Sequence, residues 1–106
     1  MATATWSALA DPRRREMLEL LRERPRPVGE LVERLGLSQP GTSKHLRVLR
    51  EAGLVRARPD GQRRVYQLDG APLEELDAWL RPYQRYWSER LDALERHLDR
   101  KAKEDD

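Results

Sequence analysis

The chain has 106 residues, of which 38% are hydrophobic and 38% charged, and its formal net charge is +2. This size fits one small domain, and no apolar run approaches the roughly 18 residues that a membrane-spanning helix needs. The sequence contains no cysteine, which excludes disulfides, thiolate metal sites and thiol redox sensing. No basic segment followed by a long apolar stretch opens the chain, so we expect a cytoplasmic protein without a secretory signal.

The charge is distributed unevenly along the chain. Residues 1–70 contain fourteen Lys and Arg against nine Asp and Glu, whereas residues 71–106 contain seven against ten. Within residues 44–64 the count is seven basic against two acidic. A local basic excess in a near-neutral chain is typical of a face that binds a polyanion such as nucleic acid. A solvated, arginine-rich surface is the alternative.

Two helices are predicted before the centre of the chain. A short one is expected over residues 5–10. Asp11 is a favourable N-cap and Pro12 suits the first helical position, so a second helix should run to about Glu23. Pro25 and Pro27 end it and predict a stiff linker.

A helix, a glycine turn and another helix follow. The first of this pair is predicted over Val28–Leu35, and Gly36 suits the left-handed position after a helix. Ser38 is a favourable N-cap, Pro40 fits the first turn, and the next helix should run to Ala52. This layout is typical of a helix-turn-helix, whose second helix enters the major groove of DNA.

A hairpin and a long helix complete the pattern. Short strands are predicted at Leu54–Arg58 and Arg63–Leu68, with Asp-Gly in the turn between them. From Pro72 onward, apolar residues recur three or four positions apart as far as Leu98. Pro82 predicts a kink or a break in this helix, and residues 101–106 are expected to fray.

The predicted fold is therefore mostly α with a small β-hairpin, a winged helix-turn-helix with a C-terminal dimerisation helix. Residues 1–70 form the DNA-binding domain and residues 71–100 the helix, within the same compact unit. The apolar stripe is too long for a small monomer to bury, which favours a homodimer over packing onto its own domain.

The second helix of the helix-turn-helix has two predicted faces. Thr42, Leu46 and Leu49 set a core face, at a spacing of four and three residues. On the other face, base reading is assigned to Gln39, Ser43 and Lys44, and phosphate contact mainly to Arg47. His45 lies between the faces and is expected to pack or to contact phosphate rather than to bind a metal. An amphipathic helix in an all-helical domain is the alternative.

The arginines of the hairpin favour phosphate contact or insertion into a narrow minor groove, against the alternative that they keep an edge strand soluble. The predicted DNA-contacting set is Ser38, Gln39, Pro40, Thr42, Ser43, Lys44, His45, Arg47, Arg58, Arg63 and Arg64.

Three segments, LADPRRREMLELL, LSQPGTSKHLRVLREAGLV and GQRRVYQL, resemble the opening, the DNA-reading helix and the wing of the ArsR/SmtB family of bacterial winged-helix repressors. The likeness covers roughly residues 6–69, and the tail resembles a subgroup with an extended, Trp- and Tyr-containing C-terminal helix. The resemblance implies a homodimeric repressor that binds double-stranded DNA at an inverted-repeat operator. It also implies a dimer interface between the first and last helices, here Trp6, Leu9, Leu76, Trp79, Leu80, Tyr83, Trp87, Leu91 and Leu94.

Departures from the family pattern concern the metal switch. The helix VGELVERL lacks the cysteine pair through which many members sense metals, and His97 alone in the tail cannot supply paired ligands. We therefore expect no metal and no cofactor. Gly41 stands where the family usually has a side chain, which removes one possible base contact.

Three other functions are alternatives to a DNA-binding repressor. A protein-interaction module on a winged-helix scaffold is one alternative. A regulator that binds a small ligand through Trp79, Tyr83, Tyr86 and Trp87 is another, although those aromatic residues are expected to form dimer core. An enzyme is not expected, because the sequence offers no Ser/His/Asp or Cys/His set and no glycine-rich phosphate loop.

Overall fold

A computed structural model describes residues 3–104. In chain order these residues form α1 (Thr3–Leu9), α2 (Pro12–Glu23), β1 (Arg26–Pro27), α3 (Val28–Leu35), α4 (Gln39–Glu51), β2 (Val55–Asp60), β3 (Arg63–Leu68) and α5 (Ala71–Glu104). The arrangement confirms the predicted winged helix-turn-helix with a long C-terminal helix. The strands form one antiparallel sheet in the order β1-β3-β2, so the sheet has a strand that the sequence did not predict.

Among residues 3–104, the contacts define two units whose boundary lies between Glu75 and Leu76. This boundary falls inside α5, and the division predicted before Ala71, with both parts in one compact unit, stays a prediction. The N-terminal unit contains the helix-turn-helix, the sheet and the first turn of α5.

The start of α2 follows from its capping residue. The Asp11 carboxylate accepts hydrogen bonds from the backbone N–H groups of Arg13 at 2.8 Å and Arg14 at 3.4 Å, and Pro12 occupies the first helical position. Burial raises the pKa of Asp11, but these two hydrogen bonds and the positive charge of Arg14 outweigh it and hold the pKa below its ordinary value.

Arg26 corrects the prediction of a stiff linker between α2 and α3, because this segment contains a strand. It pairs with Tyr66 across β1 and β3, and its side chain is buried. Its guanidinium donates to the Leu20 carbonyl oxygen at 2.9 Å and to Glu23 at 2.7 Å, and it also contacts Glu30. A buried arginine with every partner in place joins the end of α2, the sheet and α3.

The turn between α3 and α4 has the predicted chemistry. Gly36 adopts the left-handed conformation at φ 65°, and its N–H donates to the Val32 carbonyl oxygen. Ser38 caps α4 by accepting from the Gly41 N–H at 3.0 Å. A Cβ on Gly41 would lie 3.0 Å from the Ser38 hydroxyl oxygen, which gives this glycine a close-approach role at the cap.

The hairpin is longer and its turn tighter than predicted. Strand β2 continues to Asp60, which pairs with Arg63, so the turn is Gly61-Gln62 rather than residues 59–62. Gly61 has a φ of 63°, the conformation that a two-residue hairpin turn requires. Arginines therefore lie near the turn on both strands, with Arg58 on β2 and Arg63 and Arg64 on β3.

One hydrophobic core holds the N-terminal unit together. Met17 and Leu21 of α2, Leu31 of α3, and Leu46 and Leu49 of α4 are buried in it. Leu54 and Val55 extend it to the start of the hairpin. This packing fixes the orientation of α4 and leaves its remaining faces to solvent.

Helix α5 is continuous over 34 residues and contains Pro82 in its interior, so it is not split there. The helix extends through Glu104, beyond the point at which fraying was predicted; residues 105–106 lie outside the described part of the chain. Within residues 3–104, no helix is both long enough and apolar enough to span a bilayer.

Candidate nucleic-acid interface

Helix α4, the recognition helix, exposes a polar and basic surface on the side away from its core face. Gln39, Pro40, Ser43, Lys44 and Arg47 are all exposed. The structure thus places every predicted base-reading residue at the solvent surface, in the first two turns of the helix. Short polar and basic side chains at this position can pair with base edges or phosphates.

Thr42 corrects the predicted DNA-contacting set. The side chain is completely buried, and its hydroxyl donates to the Ser38 carbonyl oxygen at 2.9 Å. It therefore belongs to the core of the domain and is inaccessible to DNA. Ser38 remains exposed, although its hydroxyl oxygen is engaged in capping the helix.

A groove runs between the recognition helix, α3 and the tip of the hairpin. The side chains of α4 that line it, at helical spacing, are Gln39, Ser43, Arg47 and Arg50. Arg63 and Arg64 line it from the hairpin and Arg34 from α3, opposed by the carboxylates of Glu30 and Glu33. Five arginines against two glutamates give the groove a net positive charge, which suits the phosphate backbone of a nucleic acid.

The groove adds two residues that the sequence analysis missed. Arg34 and Arg50 are exposed and line the groove, yet neither was in the predicted set. A signal for Arg50 was present, because positions 39, 43, 47 and 50 follow the helical repeat of one face. Arg34 lies on a different helix, so only the tertiary fold brings it to the groove.

Ion pairs divide the basic residues of this surface into two classes. Arg47 pairs with Glu51 at 3.3 Å, Arg63 with Asp60 at 3.1 Å, and Arg56 with Asp69 at 3.6 Å. The other cations of the surface have no carboxylate within 4.0 Å among residues 3–104; they are Arg34, Lys44, Arg50, Arg58 and Arg64. An anion that binds these five unpaired cations breaks no ion pair between described residues.

Arg58 and His45 lie away from the groove. Arg58 is exposed on β2, opposite the buried Val65 of β3, but it does not line the groove. His45 is half-buried on the flank of α4 that faces α2, where its Nδ1 lies 3.4 Å from the Arg14 guanidinium. His45 therefore takes part in an interhelical contact.

Sequence comparison agrees with this geometry. Residues 11–57 match the family described as bacterial regulatory protein, arsR family. The chain is 45% identical over 94 residues to the HTH-type transcriptional regulator Rv2034 of Mycobacterium tuberculosis, covering 89% of this chain and 85% of the relative. The chain belongs to the ArsR family.

Two further relatives have names that state opposite effects on transcription. The transcriptional repressor SdpR of Bacillus subtilis is 31% identical, over 71% of this chain and 83% of its own length. The transcriptional activator HlyU of Vibrio cholerae is 37% identical, over 71% of this chain and 69% of its own. Membership of the family identifies this protein as a DNA-binding transcriptional regulator.

Solved structures show the same fold. The crystal structure of the ArsR family regulator RHA00566 matches with a TM-score of 0.72 and 32% identity, over 80% of this chain and 93% of that one. The homodimeric winged helix-turn-helix DNA-binding domain of Mb0332 from Mycobacterium bovis matches with a TM-score of 0.64 and 30% identity, over 82% and 81%.

The residues of this ArsR-family chain that could hold a metal are sparse. Across residues 3–104, no group of three or more His, Cys, Asp or Glu side chains is arranged to bind a metal ion. His97 lies on α5 and His45 on α4, in different units of the fold.

The C-terminal helix exposes an apolar stripe. Trp79 and Tyr83 stack with ring centroids 4.9 Å apart, and Arg90 lies 4.4 Å above the ring of Tyr86. Trp87 is 66% exposed and Leu91 64% exposed. The other members of the predicted dimer set are partly exposed; these are Trp6, Leu9, Leu76, Leu80 and Leu94.

Proposed function

We propose that this protein is a homodimeric, sequence-specific transcriptional repressor that acts in the cytoplasm. Two recognition helices would enter successive major grooves about 34 Å apart on an inverted-repeat operator in double-stranded DNA. No enzymatic reaction, metal or cofactor is part of this proposal. The observation that carries it is the basic groove between α4 and the hairpin, beside an exposed polar face at the start of α4.

Specific readout is assigned to the exposed face of the recognition helix. Gln39, Ser43 and Lys44 would contact base edges, because amide, hydroxyl and ammonium groups match the donors and acceptors of the major groove. Pro40 and Ser38 would lie against the DNA at the start of the helix. These side chains are exposed and come from two turns of one helix, which is the spacing of three to four adjacent base pairs.

Phosphate contact is assigned to the arginines around the groove. Arg47, Arg63 and Arg64 line it, and Arg34 and Arg50 extend it beyond the set predicted from sequence. Arg58 would contact phosphate from the outer face of the hairpin. Phosphate contacts hold the protein in register and make its affinity depend on salt, while the base contacts supply the sequence preference.

Dimerisation is assigned to α5 together with α1. Across the stripe of α5, Tyr83 is 50%, Trp87 66%, Leu91 64% and Leu94 52% exposed. An apolar surface of this length is a liability in a monomer, and a second copy of the helix would bury it. The homodimeric state stated for the Mb0332 domain supports the same assembly here.

The proposal is tested by selecting duplexes from a randomised pool with the full chain and measuring affinity for the selected sequence. We expect an inverted repeat to be enriched. Lys44→Ala combined with Arg63→Ala should weaken binding and reduce its salt dependence. Arg96→Ala, an exposed site on α5 outside both sets, is the control and should bind as the wild type does.

The direction of regulation needs a separate reporter. A promoter that overlaps the selected operator should be silenced by the wild type and released by the double variant. Enrichment of no sequence, together with tight binding to another protein, would replace the proposal with the protein-interaction module. Stimulation of the reporter would make the protein an activator.

A further inference from the structure

Arg14 connects three elements of the N-terminal unit through one guanidinium group. Its Nε donates to the Ala8 carbonyl oxygen and its Nη2 to the Ser7 carbonyl oxygen, each at 2.8 Å. Its Nη1 lies 3.4 Å from Nδ1 of His45 on α4 and 3.7 Å from the Asp11 carboxylate. The Arg14 side chain is only 16% exposed. A residue of α2 thus links the end of α1 to the recognition helix.

The chemistry of this contact fixes the hydrogen-bonding state of His45. A guanidinium group donates hydrogen bonds and accepts none, and it stays protonated at any physiological pH. If the His45 ring is neutral, this contact assigns Nδ1 as the acceptor and places the ring proton on Nε2. The position of this proton is set by a neighbouring helix.

The contact lies on the opposite flank of α4 from the groove. Gln39, Ser43 and Arg47 line the groove, whereas His45 faces α2. The buried Thr42 and Leu46 lie between these two flanks. Hydrophobic packing against the core resists displacement of α4, but it is non-directional, so rotation about the helix axis is restrained better by a polar contact with fixed geometry.

We propose that Arg14 is a positioning residue for the recognition helix, and that its hydrogen bond to Nδ1 of His45 sets the rotation of α4 relative to α1 and α2. This inference rests on the proposed function, since the rotation of α4 has a consequence only when the helix enters DNA. Side chains that recognise a ligand need placement within roughly 0.5 Å and 10–20°. Because α1 is assigned to the dimer interface, the same contact ties the interface to the reading surface.

Two substitutions of His45 separate positioning from direct contact with DNA. In His45→Asn the amide oxygen can take the place of Nδ1 and accept from Arg14, but no group replaces Nε2. In His45→Gln the longer amide can take the place of Nε2, and the acceptor beside Arg14 is lost. We expect His45→Asn to bind the selected duplex with an affinity within about threefold of the wild type. His45→Gln and Arg14→Gln should each bind it roughly tenfold more weakly or worse, because a loss of this size is typical when a hydrogen bond to a charged group is removed.

Nitrogen NMR of the imidazole ring provides a readout that a merely structural role for Arg14 would not move. The wild type should show the neutral ring protonated on Nε2, and Arg14→Gln should show a mixture of tautomers. Combining Arg14→Gln with His45→Asn should weaken binding no more than Arg14→Gln alone, because both changes act on one interaction. Thermal melting of each variant, followed by circular dichroism, confirms that it is folded when DNA binding is measured.

Three results would overturn the inference. Binding retained by His45→Gln and lost by His45→Asn would mean that Nε2 contacts DNA directly. Wild-type affinity in both variants would mean that the contact positions nothing. A wild-type ring protonated on Nδ1 would contradict the assigned hydrogen bond. Failure of the wild type to bind any selected duplex would instead reject the proposed function.

Discussion

The groove between the recognition helix and the hairpin makes a quantitative prediction about salt. Arg50 and Arg64 both line it, and neither pairs with a carboxylate among residues 3–104, so both are available to phosphate. Each phosphate contact contributes about 0.9 to the slope of log affinity against log salt concentration on duplex DNA. Two arginines in each of two chains would account for a slope of about 3.6.

The perturbation is the double variant Arg50→Gln/Arg64→Gln, which removes both charges and keeps polar side chains. Between 50 and 200 mM salt, the wild type should lose affinity roughly a hundredfold more than this variant does. Fluorescence anisotropy with the selected duplex at five salt concentrations gives both slopes. The matched control is Arg22→Gln/Arg96→Gln, which removes the same charge outside the groove.

Two outcomes would contradict phosphate contact by Arg50 and Arg64. An unchanged slope in the groove variant would show that the two arginines do not contact phosphate. An equal change in the control would show that net charge, rather than the position of these arginines, determines the salt dependence.

Two ion-paired glutamates and one leucine of α5 can be tested by single substitutions. Glu51→Gln should bind DNA roughly fivefold more tightly at low salt. The substitution removes a carboxylate that repels phosphate and pairs with Arg47, and this exposed ion pair is worth at most about 1 kcal/mol. Unchanged affinity would contradict the assignment of Arg47 to phosphate. Burial raises the pKa of Glu30, but its two arginine partners lower it below the ordinary value of 4.5. The ionised Glu30 carboxylate therefore stabilises the fold above pH 4.5, and this stabilisation is lost as the pH falls through the lower folded-state pKa of Glu30. Urea unfolding should show that Glu30→Gln is less stable than the wild type at pH 7 and equally stable in strong acid. A stability difference that persists in acid would argue against the ion pairs of Glu30 with its arginine partners. Leu94→Glu should convert the dimer to a monomer in analytical ultracentrifugation and weaken operator binding, and a dimer that survives the change would place the interface elsewhere.

Much of the helix-turn-helix was predictable because its signals are local. Asp11, Ser38 and Gly36 mark helix ends through caps and a left-handed turn, and the structure confirms each role. The Asp-Gly pair predicted the hairpin, although the strand extends through Asp60 to a tighter turn. Such features depend on a few neighbouring residues, so sequence alone determines them.

Features that depend on tertiary packing were missed. Arg26 lies between two prolines and resembles part of a linker, yet pairing with β3 and the carboxylate of Glu30 makes it a buried strand residue. Thr42 is different, because the sequence placed it both on the core face of α4 and in the DNA-contacting set, and its burial agrees with the core face alone. Arg34 joins the groove only because α3 lies beside α4, whereas the helical repeat of α4 already indicated Arg50.

The stoichiometry and footprint of the complex with the selected duplex decide whether the protein binds DNA as a dimer. Multi-angle light scattering gives the number of chains per duplex, and hydroxyl-radical footprinting gives the protected positions. For a homodimer on an inverted repeat, we expect two chains of 12.5 kDa on each duplex, with two protected segments about one helical turn apart. One chain per duplex, or a single protected segment, would contradict it.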